Sequence, residues 1–283
     1  MKSKTVLKIC LHCFSDWINN PRIILAFTVG IMASYIDIYK VFDYASLSKE
    51  PLQMFEPFIY NASTNYIVTL WFLGVILLFA DAPFTEQSTT YILVRLDRKT
   101  WLLGKILYVF SAIFIYCFGM FLSTIILYIT RMYMGNIWSS PFYEIVMKDA
   151  AVPLYRLGFE AKEMIYTMLP LKAFVMSFTL IVLYFFLISL LLFLINIKSN
   201  KVIGFALVSS LHCFGYMFNY YNFAKVFPFS HAMLGSVIIS QRTEVYPFYL
   251  SFIYYLAIIM IFILWLLRSI KHIDLRITQG TRK

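Results

Sequence analysis

Charge is scarce in this chain. Asp, Glu, Lys and Arg make up only 13% of the 283 residues and hydrophobic residues make up 61%, so there is too little polar surface to cover a soluble globule of this length. The apolar residues come in continuous runs rather than ten-residue alternating segments, which excludes a transmembrane β-barrel. No G-x-x-x-x-G-K-[ST] loop is present; the Gly104-Lys105 pair lacks the upstream Gly and is followed by Ile106, so the chain does not cradle ATP phosphates in that way. No H-E-x-x-H occurs either, and His12, His212, His231 and His272 are scattered without acidic partners at metal-ligand spacing. There are four cysteines, all assigned to the inner interface or the bilayer, and no disulfide is expected. Cys10, His12 and Cys13 form a tight C-x-H-C cluster with no second half elsewhere, since Cys117 and Cys213 lie within apolar runs; no metal site is expected. The residues therefore suggest no catalytic group and no enzyme.

What remains is an all-α polytopic membrane protein. A hydrocarbon core of roughly 30 Å takes about 20 helical residues to cross. Six spans are read: Arg22 to Tyr39, Tyr66 to Ala80, Leu102 to Ile129, Leu171 to Ile197, Val202 to Phe218 and Pro247 to Leu267. The second and fifth are short and borrow interfacial residues at their ends.

The formal charge of +10 does not indicate nucleic acid, because the cations sit in short clusters between apolar runs. With the N-terminus inside, 15 of the 24 Lys and Arg residues fall in the inner segments, which puts both termini in the cytoplasm. FAKVFPFSHAMLGSVIIS, residues 223–240, invites a seventh span, but Lys225, Pro228, His231 and Gly235 argue against one. A crossing there would also put the basic tail, residues 268–283, outside. An outer re-entrant segment keeps the parity even. Span centres are read as free of charge, with Asp37, Asp81, Arg131 and Lys172 near span ends. This counts against an ion-coupled transporter and favours a driving force from outside the bilayer.

Residues 1–20 are amphipathic. Val6, Leu7, Ile9, Cys10, Leu11, Cys13, Phe14, Trp17 and Ile18 share one side, with Lys4, Lys8, His12 and Asp16 on the other. The helix is expected to lie along the cytoplasmic interface and to break at Asn19, Asn20 and Pro21. Asn61-Ala62-Ser63 matches a glycosylation sequon. Aromatics form 19% of the chain and crowd the outer ends of spans, among them Phe55, Phe58, Tyr60, Trp138 and Tyr221. They suit an interfacial belt, and some suit an exit path for an amphiphilic cargo.

The loop over residues 81–105 holds more than orientation needs. Arg95, Arg98, Lys99 and Lys105 are mixed with Asp81, Glu86 and apolar residues such as Phe84, Tyr91 and Trp101. That is the make-up of a short helix packing on something outside the lipid. Glu86, then Arg98, Trp101, Gly104 and Lys105 leading straight into a span, resembles the cytoplasmic loop of permeases of the type-2 exporter class of ATP-binding-cassette transporters. The interfacial N-terminal helix, six spans and outer re-entrant segment between the fifth and sixth spans are similar to that class too. This chain departs from the pattern at Ser88, Thr89 and Thr90, where members often carry a Gly, and in its long outer segment, residues 131–169.

The resemblance implies a coupling helix that docks on a separate ATPase through Glu86, Tyr91, Arg95, Arg98, Trp101 and Lys105. It implies ATP and magnesium on that partner, none on this chain, and a second permease, identical or related. The cell would be bacterial, the localisation the cell membrane, and the cargo an exported peptide, bacteriocin or lipid. The alternative is a non-transporting membrane protein that anchors or assembles cytoplasmic partners through its basic loop and tail.

Overall fold

The computed structural model describes residues 2–15, 17–18, 20–82, 96–147, 162–219, 221, 226–234 and 248–270. Among the described residues the protein is all-α apart from one two-residue strand pair. Helix α1 covers Lys2–Phe14, and α2, Pro21–Ser48, follows a break at an Asn20 cap. Asn20 Oδ1 accepts the Arg22 N–H at 3.1 Å, and Pro21 supplies the preset φ of a first turn. Strand β1 (Leu52–Gln53) leads into α3 (Glu56–Ala62) and α4 (Asn65–Phe79), whose axes are bent by 84°. Helix α5, Arg98–Ile126, precedes β2 (Met132–Tyr133), α6 (Ser140–Met147) and α7 (Lys162–Thr167). Then come α8 (Pro170–Lys198), α9 (Lys201–Met217), the five-residue α10 (Pro228–Ala232) and α11 (Phe248–Ser269).

Helices α2, α5, α8 and α11 are each long and apolar enough to cross a bilayer. The bent α3–α4 pair passes the same test when taken together, and α9 is apolar but shorter. Burial distinguishes their positions: 78% of the apolar window of α8 is enclosed by protein against 22% of that of α11. Helix α8 is therefore the central post and α11 lies at the edge, with its outer side chains left for lipid.

The first long helix does not end near Tyr39, as its charges suggested, but continues to Ser48. Asp37 is consequently well inside the helix and only 6% exposed. It accepts from Lys40 Nζ at 3.0 Å and lies 3.5 Å from the Tyr60 hydroxyl, so an intrahelical partner and a neighbouring helix, rather than headgroups, compensate its charge.

The apolar side of α1 packs on α5. At Gly104 the two backbones come so close that a Cβ would lie 2.7 Å from Ile9 Cβ. Beyond the helix end, Trp17 Nε1 donates to the Tyr108 hydroxyl at 2.9 Å, and Phe14 meets Tyr108 edge-on with centroids 5.0 Å apart. Cys10 is buried, and Cys13 Sγ accepts from Lys105 Nζ at 3.2 Å, so neither thiol is turned simply to lipid. Burial pushes the Cys10 thiol up from its ordinary pKa.

Candidate functional site

The ends of five helices gather where the 81–105 loop leaves the bundle. Two residues past α4, Asp81 pairs with Arg22 at the start of α2, and its Oδ1 accepts from Lys201 Nζ, at the start of α9, at 3.0 Å. The next residue, Ala82, offers its carbonyl to Asn196 Nδ2 near the end of α8 at 2.9 Å. Asn196 can sit there only because Gly204 of α9 has no side chain: a Cβ would lie 1.9 Å from Asn196 Oδ1. Lys198 Nζ lies 4.1 Å from the centroid of the Trp265 ring, which brings in the end of α11. On the returning side, Asp97 caps α5.

Burial tends to raise the Asp81 carboxyl pKa, but hydrogen bonds and charge from Lys201 and Arg22 outweigh it and hold the group below its ordinary range. All three side chains are about half exposed, so each pair contributes at most about 1 kcal/mol. The arrangement is better suited to registering helix ends against one another than to bulk stability.

Of the residues singled out for coupling, Glu86, Tyr91 and Arg95 lie outside the described residues. Arg98 is exposed on the first turn of α5. Trp101 and Lys105 are turned inward, 1% and 7% exposed, with Lys105 on Cys13 of the α1 helix. Lys105 therefore joins the loop's return to the N-terminal helix within the chain itself, with the Trp101 ring centroid 5.9 Å from its ammonium.

The opposite end of the bundle carries a built cap. Glu56, fully buried at the start of α3, accepts at Oε1 from the Ser139 N–H at 2.6 Å. Its Oε2 accepts from the Ser139 hydroxyl at 2.6 Å and from the Gln53 N–H at 3.0 Å. Gln53 Nε2 donates to Gly135 O at 2.8 Å, and β1 pairs parallel with β2, Leu52 opposite Met132. The Tyr44 hydroxyl reaches Glu144 of α6 at 2.7 Å, and Trp138 Nε1 donates to Met168 O at 2.8 Å. The described part of segment 131–169 is thus tied to α2, α3 and the stretch before α8. Asn61 of the sequon is buried in α3 and donates to Ser34 O of α2 at 3.0 Å, so it is closed to a glycosyltransferase in the fold.

Within the bundle, His212 of α9 is 1% exposed and joined on both ring nitrogens: Nδ1 to the Tyr184 hydroxyl at 2.6 Å and Nε2 to Thr69 Oγ1 at 3.1 Å. Phe72 stacks on the ring at 3.8 Å. Helices α4, α8 and α9 are thereby linked through one side chain. Phe229 of α10, buried beside this His with ring centroids 4.9 Å apart, extends the cluster, while His231 Nδ1 meets Ser251 Oγ of α11 at 2.9 Å. In the sequence both histidines were noted only as lacking acidic partners, and His231 as a residue against a seventh span, because the groups each one meets are distant along the chain. The one available signal was a polar residue within an apolar run.

These features define the class as a helical, membrane-associated protein. Comparison with protein-family models, curated proteins and solved structures gives no match.

Proposed function

We propose that the chain is the transmembrane permease subunit of an ATP-driven exporter of the type-2 ATP-binding-cassette class. Its cargo would be amphiphilic, such as a peptide, bacteriocin or lipid, moved out of a bacterial cell. The observation that carries the reading is the junction at the root of the 81–105 loop. Asp81 and Ala82 are held by Arg22, Asn196 and Lys201, and the return is held on α1 through Lys105. A loop that transmits force must be stiffly joined to the helices it moves, and this one is joined to α2, α8 and α9 on one side and to α1 on the other. In this reading the six spans are α2, the α3–α4 pair, α5, α8, α9 and α11. The junction and both termini face the cytoplasm, and residues 223–240, which include α10, form the outer re-entrant segment.

ATP and magnesium belong to a separate ATPase subunit that grips the loop at Glu86, Tyr91, Arg95 and Arg98. Nucleotide binding draws two such subunits together, and the spans follow because their two arrangements differ in affinity for the closed motor. A second permease, identical or related, completes the path. The test is co-purification of a nucleotide-binding subunit with the full-length protein, comparing wild type with Glu86→Lys and Arg98→Glu. Loss of the ATPase with membrane insertion retained supports the reading. Cargo movement by the purified chain alone in liposomes, or an exterior location of the loop, overturns it. A retained ATPase that no cargo stimulates favours the anchoring role instead.

A further inference from the structure

A pocket of about 350 Å3 opens where α2 ends, away from the junction. Phe42, Ala45 and Pro51 form its apolar walls, and Lys49, Arg131 and Glu50 bring charge to it. The two cations come from different elements, Lys49 from the cap of α2 and Arg131 from just before β2, where its Nη1 donates to Ser46 Oγ at 2.6 Å. Among the described residues neither cation forms a salt bridge.

The position of Lys49 is unusual. It has φ 57° and ψ 26°, the left-handed cap conformation that Gly or Asn ordinarily fills, and it is the only non-glycine residue with positive φ among the described residues. A long charged side chain is therefore held at a site where it is conformationally disfavoured. Depth adds a second constraint. At 1.5 Å per residue the 28 residues of α2 extend roughly 42 Å, about the thickness of a bilayer including its headgroups. With Arg22 at one headgroup layer, the pocket falls in the other.

We propose that this pocket binds the phosphodiester headgroup of an anionic membrane lipid. The phosphate sits between Lys49 and Arg131, and the upper acyl chain lies along Phe42 and Ala45. Two cations set against Glu50 leave a net charge of one, which suits a phosphodiester monoanion. A choline headgroup would bring a further cation to a site that already holds two. The inference stands on the pocket and on α2 as a membrane span, and is independent of the exporter reading.

The test uses the full-length protein in a neutral maltoside detergent, with binding read by native mass spectrometry. The three probes are dihexanoyl phosphatidylglycerol, dihexanoyl phosphatidylcholine and inorganic phosphate. The expected result is that phosphatidylglycerol binds more tightly than the other two. Combining Lys49→Gly with Arg131→Gln should weaken it about tenfold or more, the scale of a lost charge-assisted hydrogen bond. Lys49→Gly alone suits the left-handed backbone, so it keeps the fold and should still weaken binding. Equal phosphatidylglycerol binding by wild type and both variants overturns the proposal. So does phosphatidylcholine binding as tight as phosphatidylglycerol, and inorganic phosphate binding as tight as the lipid assigns the anion to a soluble source and overturns the lipid assignment.

Discussion

Replacing Gly204 by Ala tests the junction with a single methyl group. At that position a Cβ would lie 1.9 Å from Asn196 Oδ1 and 3.0 Å from its Cγ, while Leu192 at 3.4 Å is an ordinary contact. Either the amide turns away or α9 retreats from α8. If the amide turns, its hydrogen bond to Ala82 O is lost and buried polar groups are left without partners, for about 1–3 kcal/mol together. Greater helix propensity of Ala offsets up to about 1 kcal/mol. The net expectation is a loss of about 1–2 kcal/mol. In an Asn196→Ala background the obstructing amide is absent, so Gly204→Ala should be neutral or stabilising by up to about 1 kcal/mol. The coupling between the two positions is then about 2 kcal/mol, within the range for residues in contact. All four corners of the cycle can be measured on the full-length protein in detergent by denaturant unfolding followed through tryptophan fluorescence. If Gly204→Ala costs the same with and without Asn196, the amide is not what requires a glycine there, and the clamp on Ala82 is wrongly assigned.

The Asp81 pair with Arg22 and Lys201 carries a pH dependence. Because the folded carboxyl lies below its ordinary range, its stabilisation is fully present above the unfolded value of about 3.9 and is lost as pH falls through the lower folded value. Half-exposed partners limit this to about 1 kcal/mol. Asp81→Asn should therefore flatten the acid limb of the stability profile below about pH 4, and a limb as steep as that of wild type contradicts the assignment. At the other end, Glu56→Gln puts an amide N–H where an oxygen now accepts from Ser139 or Gln53. The expected loss is about 1–3 kcal/mol, read as a lower unfolding midpoint together with faster protease cleavage within residues 131–147. An unchanged cleavage rate and midpoint would remove Glu56 from its role in holding the cap.

Legibility differed from element to element. Helices α5, α8 and α11 lie within a few residues of the apolar runs that announced them, because a segment without charge that is long enough to cross lipid has few other ways to satisfy its backbone. The break between α1 and α2 was visible in Asn20 and Pro21, which act within one turn. The length of α2 was not, since Asp37 and Lys40 resemble the end of a span unless their pairing with each other is seen. The surface opposite α1 was equally hidden: its apolar arc indicated a helix lying along the membrane interface, yet only packing shows that Gly104 and Tyr108 meet it.

The candidate site was legible in outline and opaque in its mechanics. Arg98 could be placed at the mouth of a span from its neighbours alone. The carboxylate at Asp81 could not be assigned partners, because Arg22 and Lys201 lie 59 and 120 residues away along the chain. The same holds for Glu56 with Ser139 and for His212 with Thr69 and Tyr184.

The amino-acid order by itself determined that this is a helical chain for a bilayer, and where most of its long helices run, because hydropathy, charge spacing and caps act over a turn or a span. Tertiary structure alone decided which helix is central, which polar groups meet within the bundle and where the loop is clamped. Those outcomes depend on surfaces brought together from distant parts of the chain, and no local pattern encodes which surface will be opposite.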